Sequence, residues 1–294
     1  MKKIIKTINI AIIIAVSVFS VLLFTACEGG AKTKIVVMGS TSVQPYAELL
    51  AEEYERLYPE VKVDVTGGGS STGISSARSG VAAIGMSSRE LKDSEKTDLE
   101  EFKIATDGLA LIINPKNPVA DLSLEEIRKI YTGETKHWTQ IAGFEDWKET
   151  VKSKETNIHV ITREEGSGTR TAFQDFVMAG KQISSKAATS SSNGAIRYSV
   201  ADDANAIGFI SLGLVDQREA KGQKPVKALS LNGVEATEEN VENGSYGLSR
   251  PFLFVTKGGP EGLAKDFIEF VLSPAGKEIL AREGLVAGRG DTAG

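Results

Sequence analysis

Four times along this chain an apolar, strand-like run ends in a short loop of Ser, Thr and Gly. Lys34-Ile-Val-Val-Met38 leads into Gly39-Ser-Thr-Ser-Val43, and helical spacing follows from Pro45 to Tyr58 through Leu49, Leu50, Tyr54 and Leu57. Val61-Lys-Val-Asp-Val65 alternates like a strand and leads into Thr66-Gly-Gly-Gly-Ser-Ser-Thr-Gly-Ile74. Ala82-Ala-Ile-Gly-Met86 ends in Ser87-Ser88-Arg89, and Ile158-His-Val-Ile161 runs into Arg163-Glu-Glu-Gly-Ser-Gly-Thr-Arg170 ahead of a helix-like run, Thr171–Val177. Strands that alternate with helices imply an α/β layer with a largely parallel sheet. Ligands of such sheets bind beyond the carboxyl ends of the strands. All four loops lie at such ends, so this pattern predicts both the layer and the side of it that carries the chemistry.

The fourth loop is the richest in donors. A helix start offers backbone N–H groups without intrahelical partners and the positive end of the helix dipole. Ser167 and Thr169 add hydroxyls there, and glycines let a ligand come close to the backbone. Arg163 brings a planar fork of donors that suits a tetrahedral oxyanion. The competing expectation for this stretch is a capped helix after a glycine turn, with Arg163 on the surface.

The chain opens with Lys2, Lys3 and Lys6, then an almost wholly apolar run from Ile8 to Phe24, then Thr25-Ala26-Cys27. This is the order of a secretory signal, expected over residues 1–26. Cys27 is the single cysteine, so no intramolecular disulfide can form. A lone cysteine directly after such a run looks like the lipid-modified first residue of a bacterial lipoprotein, although Phe24 departs from the aliphatic residue usual there. An uncleaved membrane anchor is the alternative, and both place the remaining chain outside the cytoplasmic membrane. Residues 27–33 would be a short tether.

Without residues 1–26 the chain loses three lysines and no acid, leaving 34 − 3 = 31 basic against 39 acidic residues, a net charge of −8. That balance excludes a nucleic-acid partner, which needs a basic footprint. An acidic protein that holds an anion must do so with fixed dipoles and one or two arginines. The remaining 294 − 26 = 268 residues are comfortable for two domains. Leu109–Ile113 reads as a strand, and Asn114-Pro-Lys-Asn-Pro118 is a rigid break where the chain is expected to cross to a second domain. Ser123–Ile130 reads as a helix opening on Ser123, with Glu125 and Glu126 in its first turn. His137-Trp138 and Trp147 read as packing residues. Ala206–Ile210 reads as a strand, and Arg250–Val255 as the strand that carries the chain back. Gly262–Leu272 and Pro274–Glu283 read as closing helices.

None of the four loops carries the lysine of a nucleotide-binding P-loop, and no Cys/His cluster has metal spacing. Neither a cofactor nor a metal is expected. Gly69-Ser-Ser-Thr-Gly73 does fit the G-x-S-x-G nucleophile elbow, with Ser71 as nucleophile. A serine hydrolase would also need a histidine, and the two present are His137 and His159, the latter inside a strand-like run.

Taken in order, these loops resemble those of the phosphate-binding proteins of bacterial phosphate ABC transporters. The further landmarks are Leu122-Ser-Leu-Glu-Glu-Ile-Arg-Lys-Ile130 with Trp138 beyond it, Ala206-Ile-Gly-Phe209 and Arg250-Pro-Phe-Leu-Phe-Val255. The resemblance spans residues 34 to 285. It implies a two-lobed, periplasmic-binding-protein-like fold of type II, with a two-strand hinge and a ligand cleft between the lobes. Lobe 1 would comprise residues 34–113 and 251–294, and lobe 2 residues 114–250. It implies no catalysis, inorganic phosphate as ligand, and the permease subunits of an ABC transporter as partners. A monomer is expected, held at the membrane by a lipid anchor on Cys27. Carried over position by position, the phosphate contacts would be Thr41, Ser42, the backbone of Val43, Ser70, Arg163, Ser167, Gly168 and Thr169. Where some family members place an aspartate that accepts the phosphate proton, this chain has Ser88, which leaves another tetrahedral oxyanion such as sulfate as the alternative ligand.

Overall fold

The structure, a computed structural model, describes residues 33–141, 156–215 and 226–287. The chain begins β1 (Thr33–Gly39), α1 (Gln44–Leu57), β2 (Val61–Gly67), α2 (Ser70–Ser79), β3 (Ile84–Ser87), α3 (Asp93–Lys96) and the long strand β4 (Leu99–Ile113). It continues through β5 (Asp121–Leu122), α4 (Leu124–Thr132), β6 (His159–Arg163), α5 (Gly168–Phe173), β7 (Ala188–Ser190), α6 (Asn193–Asp202) and β8 (Ala206–Ser211). Short strands β9 (Lys227–Ala228) and β10 (Ser230–Leu231) and helix α7 (Glu238–Glu242) precede β11 (Ser249–Lys257) and the closing helices α8 (Gly262–Leu272) and α9 (Pro274–Arg282).

Among the described residues the main sheet runs β2-β1-β3-β11-β4-β8-β6-β7, with β9 paired to β4. The strands β2, β1 and β3 are parallel, as are β8, β6 and β7. Between these parallel trios lie β11 and β4, both antiparallel to their neighbours. Two α/β lobes therefore share one continuous sheet through two strands. Residues Leu99 to Gly108 of β4 pair with β11, and Leu109 to Ile113 pair with β8. The exchange of partners thus falls ahead of Asn114. Asn114 itself ties the end of β4 to helix α6, its side chain donating to the carbonyls of Val200 and Ala201.

The side chains of β4 show why the shared strand is apolar on both sides. Leu109, Leu111 and Ile113 enter one core with Ile127, Tyr131 and Phe209. Ala110 and Ile112 enter the other with Ile196, Val200 and Ile210. A period of two places successive residues on opposite faces, and helices cover both. β11 repeats this, with Phe252 and Phe254 in the large core and Leu253 and Val255 in the small cluster with Ile74 and Leu91. Phe173 stacks on Phe209 at 4.2 Å between ring centroids, and this contact seats α5 on the sheet.

Local signals read from the sequence recur as elements. Ser123 caps α4, its hydroxyl accepting from the Glu126 amide at 3.2 Å while Glu126 accepts from the Ser123 amide at 2.8 Å. Trp138 is fully buried and donates to the carbonyl of Asn205, so it packs as expected. Two elements differ from the sequence reading. Leu99–Gly108 belongs to β4, but Glu100, Glu101, Lys103 and Asp107 break its apolar alternation. The helix-like run after Thr171 ends as regular helix at Phe173 and continues as a π turn over Gln174–Met178. Residues 1–32, with the signal segment and Cys27, and Trp147 lie outside the described residues. Among the described residues no helix is long and apolar enough to cross a membrane.

Candidate anion-binding site

The hydroxyl loops gather where the sheet changes lobes. The β1 loop supplies Ser40, Thr41 and Ser42, the start of α2 supplies Ser70, and the end of β3 supplies Ser88. From the other lobe come Arg163 at the end of β6, Ser167 to Thr169 at the start of α5, and Asn193 at the start of α6. Arg250 and Asp107 face each other on the two shared strands. Apart from Thr41, the polar side chains of this set are buried, several completely.

The two lobes meet here through direct hydrogen bonds. Ser42 Oγ lies 2.8 Å from Thr169 Oγ1. Arg163 Nη2 donates to Thr41 Oγ1 at 3.1 Å, and Asn193 Nδ2 to Ser42 Oγ at 2.9 Å. The Ser71 amide donates to the carbonyl of Gly166 at 3.1 Å. Gly168 is required by this approach, because a Cβ there would stand 2.2 Å from Ser70 Oγ and 2.7 Å from Ser88 Oγ. A side chain at 168 would displace the Ser70 and Ser88 hydroxyls from these positions.

Arg163 is 1% exposed, so it is no surface arginine. Glu164 orients it, accepting from Nε and Nη2 at 2.8 Å each. Its Nη1 is buried and has no hydrogen-bond partner among the described residues. A charged donor removed from water costs free energy unless something accepts from it. Nη1 is therefore the atom of this site that calls for an acceptor from outside the chain.

Arg250 is equally buried, but each of its nitrogens has a protein acceptor. Its Nε and Nη2 donate to Asp107 Oδ2 at 3.1 and 3.0 Å, Nη2 also reaches Ser42 Oγ at 3.2 Å, and Nη1 reaches the Ser88 carbonyl at 3.4 Å. Ser211 donates to the remaining carboxylate oxygen of Asp107 at 2.6 Å. Burial pushes the Asp107 carboxyl up, opposed first by the charge of Arg250. Burial pulls the Arg250 guanidinium down, opposed by Asp107. Each charge opposes the neutralisation that burial favours in the other.

Of the residues expected to bind the anion, Thr41, Ser42, Ser70, Ser88, Arg163 and Thr169 are joined here by their side chains, and Gly168 sits against Ser70 and Ser88. Ser167 caps α5, its hydroxyl accepting from the Arg170 amide at 3.3 Å. The Val43 amide turns back on the Ser40 carbonyl at 3.2 Å. Ser40, Asn193, Asp107, Ser211 and Arg250 were not among the expected contacts. Thr189-Ser-Ser-Ser-Asn193 is a fifth hydroxyl loop at the carboxyl end of a strand, so the signal used for the other four would have found Asn193. Asp107 and Arg250 carry no comparable signal, because only strand register sets them opposite each other.

Ser71 lies exposed on the second residue of α2. His159 sits at the amino end of β6, about 13 Å of strand from Arg163, and its ring is 2.6 Å from Asp203. His137 bridges to Asn157, further back along the chain. Both histidines therefore stand at the far end of β6 from the loops that surround Ser71.

The fold and this donor set define a two-lobed binding protein of the periplasmic type, and the family model of the PBP superfamily domain matches residues 26–275. The phosphate-binding protein PstS of Bacillus subtilis (strain 168) is 30% identical over 264 residues, covering 88% of this chain and 82% of that protein. Two solved structures are similar. The first is a putative phosphate ABC transporter substrate-binding protein with bound phosphate from Clostridium perfringens, at 40% identity and a TM-score of 0.78, covering 87% of this chain and 100% of that one. The second is an ABC-type phosphate transport receptor from Vibrio cholerae, at 35% identity and 0.68, covering 86% and 100%. The chain belongs to the PstS family of phosphate-binding proteins.

Proposed function

We propose that this protein binds inorganic phosphate between its lobes and delivers it to the permease of an ABC-type phosphate transporter. The observation that carries this reading is the buried Arg163 fork, with Nη1 unpartnered among hydroxyls from both lobes. The contacts are Thr41, Ser42, Ser70, Ser88, Arg163 and Thr169, with the backbone of Gly168 and the turns of Val43 and Ser167 beside them. A charge-assisted hydrogen bond contributes roughly 1.5–3 kcal/mol net. A handful of them, less the cost of closing the lobes, reaches micromolar affinity or better, roughly −8 kcal/mol. The hinge is the shared pair β4 and β11, with lobe 1 formed by residues 34–113 and 251–294 and lobe 2 by residues 114–250. Closure presents the permease with a surface that exists only when phosphate is bound. The protein is a carrier and not an enzyme, which the distance of both histidines from Ser71 supports. It works as a monomer outside the cytoplasmic membrane, tethered through lipid on Cys27.

One observation favours a second ligand. Ser88, fully buried, stands where some relatives place an acceptor carboxylate, and a hydroxyl penalises sulfate less than a carboxylate does. Calorimetry of the mature protein against phosphate and sulfate separates the two readings. Phosphate is expected to bind at micromolar concentration or below and ahead of sulfate. Sulfate binding the tighter throughout pH 6 to 8.5 would reassign the ligand, and binding of neither would remove the site.

A further inference from the structure

The hydrogen-bond partners of the site decide which hydroxyls can only donate. Ser42 Oγ accepts from Arg250 Nη2 at 3.2 Å and from Asn193 Nδ2 at 2.9 Å. A hydroxyl has two lone pairs and one hydrogen, and neither of those nitrogens can accept. Both lone pairs of Ser42 are taken, so its hydrogen is the one thing it has left to offer. In its 2.8 Å contact with Thr169 Oγ1, Ser42 is therefore the donor, and an anion in the cleft would take that hydrogen in place of Thr169. Thr41 Oγ1 is in the same position, accepting from Arg163 Nη2 at 3.1 Å and from Asn193 Nδ2 at 3.4 Å.

The orienting groups are themselves fixed. The Ser211 amide donates to Asn193 Oδ1 at 3.4 Å. An N–H cannot accept, so the oxygen of the Asn193 amide must face Ser211 and its NH2 must face Thr41 and Ser42. Asp107 likewise holds the Arg250 fork through Nε and Nη2. The opposite corner is built differently. Ser88 Oγ accepts one hydrogen, from Ser40 at 2.9 Å, and Ser70 Oγ accepts one, from the Ser88 amide at 3.0 Å. Ser70 Oγ and Ser88 Oγ also lie 3.3 Å apart, so the one that accepts from the other has both lone pairs filled, while the one that donates, and Thr169, each keep a lone pair for the ligand.

We propose that Asn193 and Arg250 are positioning residues that lock Ser42 and Thr41 as donors, so that this side of the cleft accepts only unprotonated anion oxygens. A proton-bearing phosphate oxygen must then turn toward Thr169 and toward whichever of Ser70 and Ser88 donates to the other and so keeps a lone pair. The preference for one charge state over another is set by this second layer as well as by the residues that touch the ligand. The inference rests on the phosphate reading above.

Arg250 cannot be replaced without stranding Asp107, so Asn193 carries the test. In Asn193→Asp the new carboxylate accepts the Ser42 hydrogen and turns a Ser42 lone pair toward the ligand. Phosphate and sulfate affinities are measured by calorimetry at pH 6, 7 and 8.5 for the wild type, Asn193→Asp, Ser42→Ala and the double variant. Asn193→Asp is expected to weaken sulfate by at least about tenfold more than it weakens phosphate at pH 6, and to make phosphate affinity fall more steeply with rising pH. The added charge alone would do part of this, and Ser42→Ala isolates that part. The change in the phosphate-to-sulfate ratio should shrink when Ser42 is already alanine. An equal change in both Ser42 backgrounds, or equal loss for both anions at every pH, would overturn the proposal. If Asn193→Asp does not fold, Asn193→Ala frees a lone pair on Ser42 and on Thr41, and an unchanged ratio in it is equally decisive. A wild type that binds neither anion would sink the phosphate reading itself, whereas a binding wild type with an unmoved ratio sinks this inference alone.

Discussion

Two arginines in this cleft are equally buried and differently used. Arg163 is 1% exposed and Arg250 2%. The carboxylate of Arg250 is Asp107, with no exposed side chain, while that of Arg163 is Glu164, whose side chain is 30% exposed. Each donor nitrogen of Arg250 has a protein acceptor, and Arg163 keeps Nη1 without one. Burial alone therefore does not mark a ligand-binding arginine. The mark is an unfinished set of hydrogen bonds next to a carboxylate that orients the fork without consuming it. Arg250 belongs to the frame that joins the shared strands to Ser42, and Arg163 is the arginine we propose meets the ligand.

The largest expected effect breaks the frame. Asp107→Ala leaves Arg250 charged and unpaired in the core, which costs roughly 3–5 kcal/mol. Urea denaturation should show that loss with or without phosphate. A variant as stable as the wild type would mean that Arg250 finds another acceptor and that the pair is not structural.

Next comes the ligand arginine. Arg163→Ala should weaken phosphate binding by about 2–5 kcal/mol while the folded state stays close to the wild type, because Glu164 can take water in place of its partner. Arg163→Lys should recover only part, since an ammonium cannot present the planar fork. Calorimetry and thermal melting on the same samples separate the two quantities. If Arg163→Ala lost as much stability as Asp107→Ala, the contrast between the arginines would fail.

The smallest effect lies outside the cleft, at a third guanidinium. Arg89, next to Ser88, donates to both oxygens of Glu95 at 2.7 and 2.9 Å. The Arg89 hydrogen bonds hold the Glu95 carboxyl below its ordinary value, although its partial burial acts the other way. A carboxyl with a depressed value in the folded state stabilises the fold above its unfolded value, and the gain is lost as pH falls through the folded one. Glu95→Gln should therefore cost about 0.5–1.5 kcal/mol at pH 7 and nothing once the pH lies below the folded value. Phosphate affinity should not move, and a change in it would place this pair in the site's frame after all.

Much of this protein was legible in its residues because local chemistry wrote it. Alternating apolar runs placed β1, β2, β6 and β8, since one residue in two faces each core. Glycine and hydroxyl turns marked the carboxyl ends where the loops of Thr41, Ser70, Ser88 and Arg163 collect, because a close anion needs donors and bare backbone. Tertiary structure alone decided the rest. The first ten residues of β4 were hidden by charges that only pairing with β11 accommodates. The partnership of Asp107 with Arg250 depends on the register of two strands far apart in sequence. Whether Ser42 donates or accepts depends on Asn193 and Arg250, which reach it from other parts of the chain. A residue's type states what its side chain can do, and only its neighbours in space determine which of those things remain open to it.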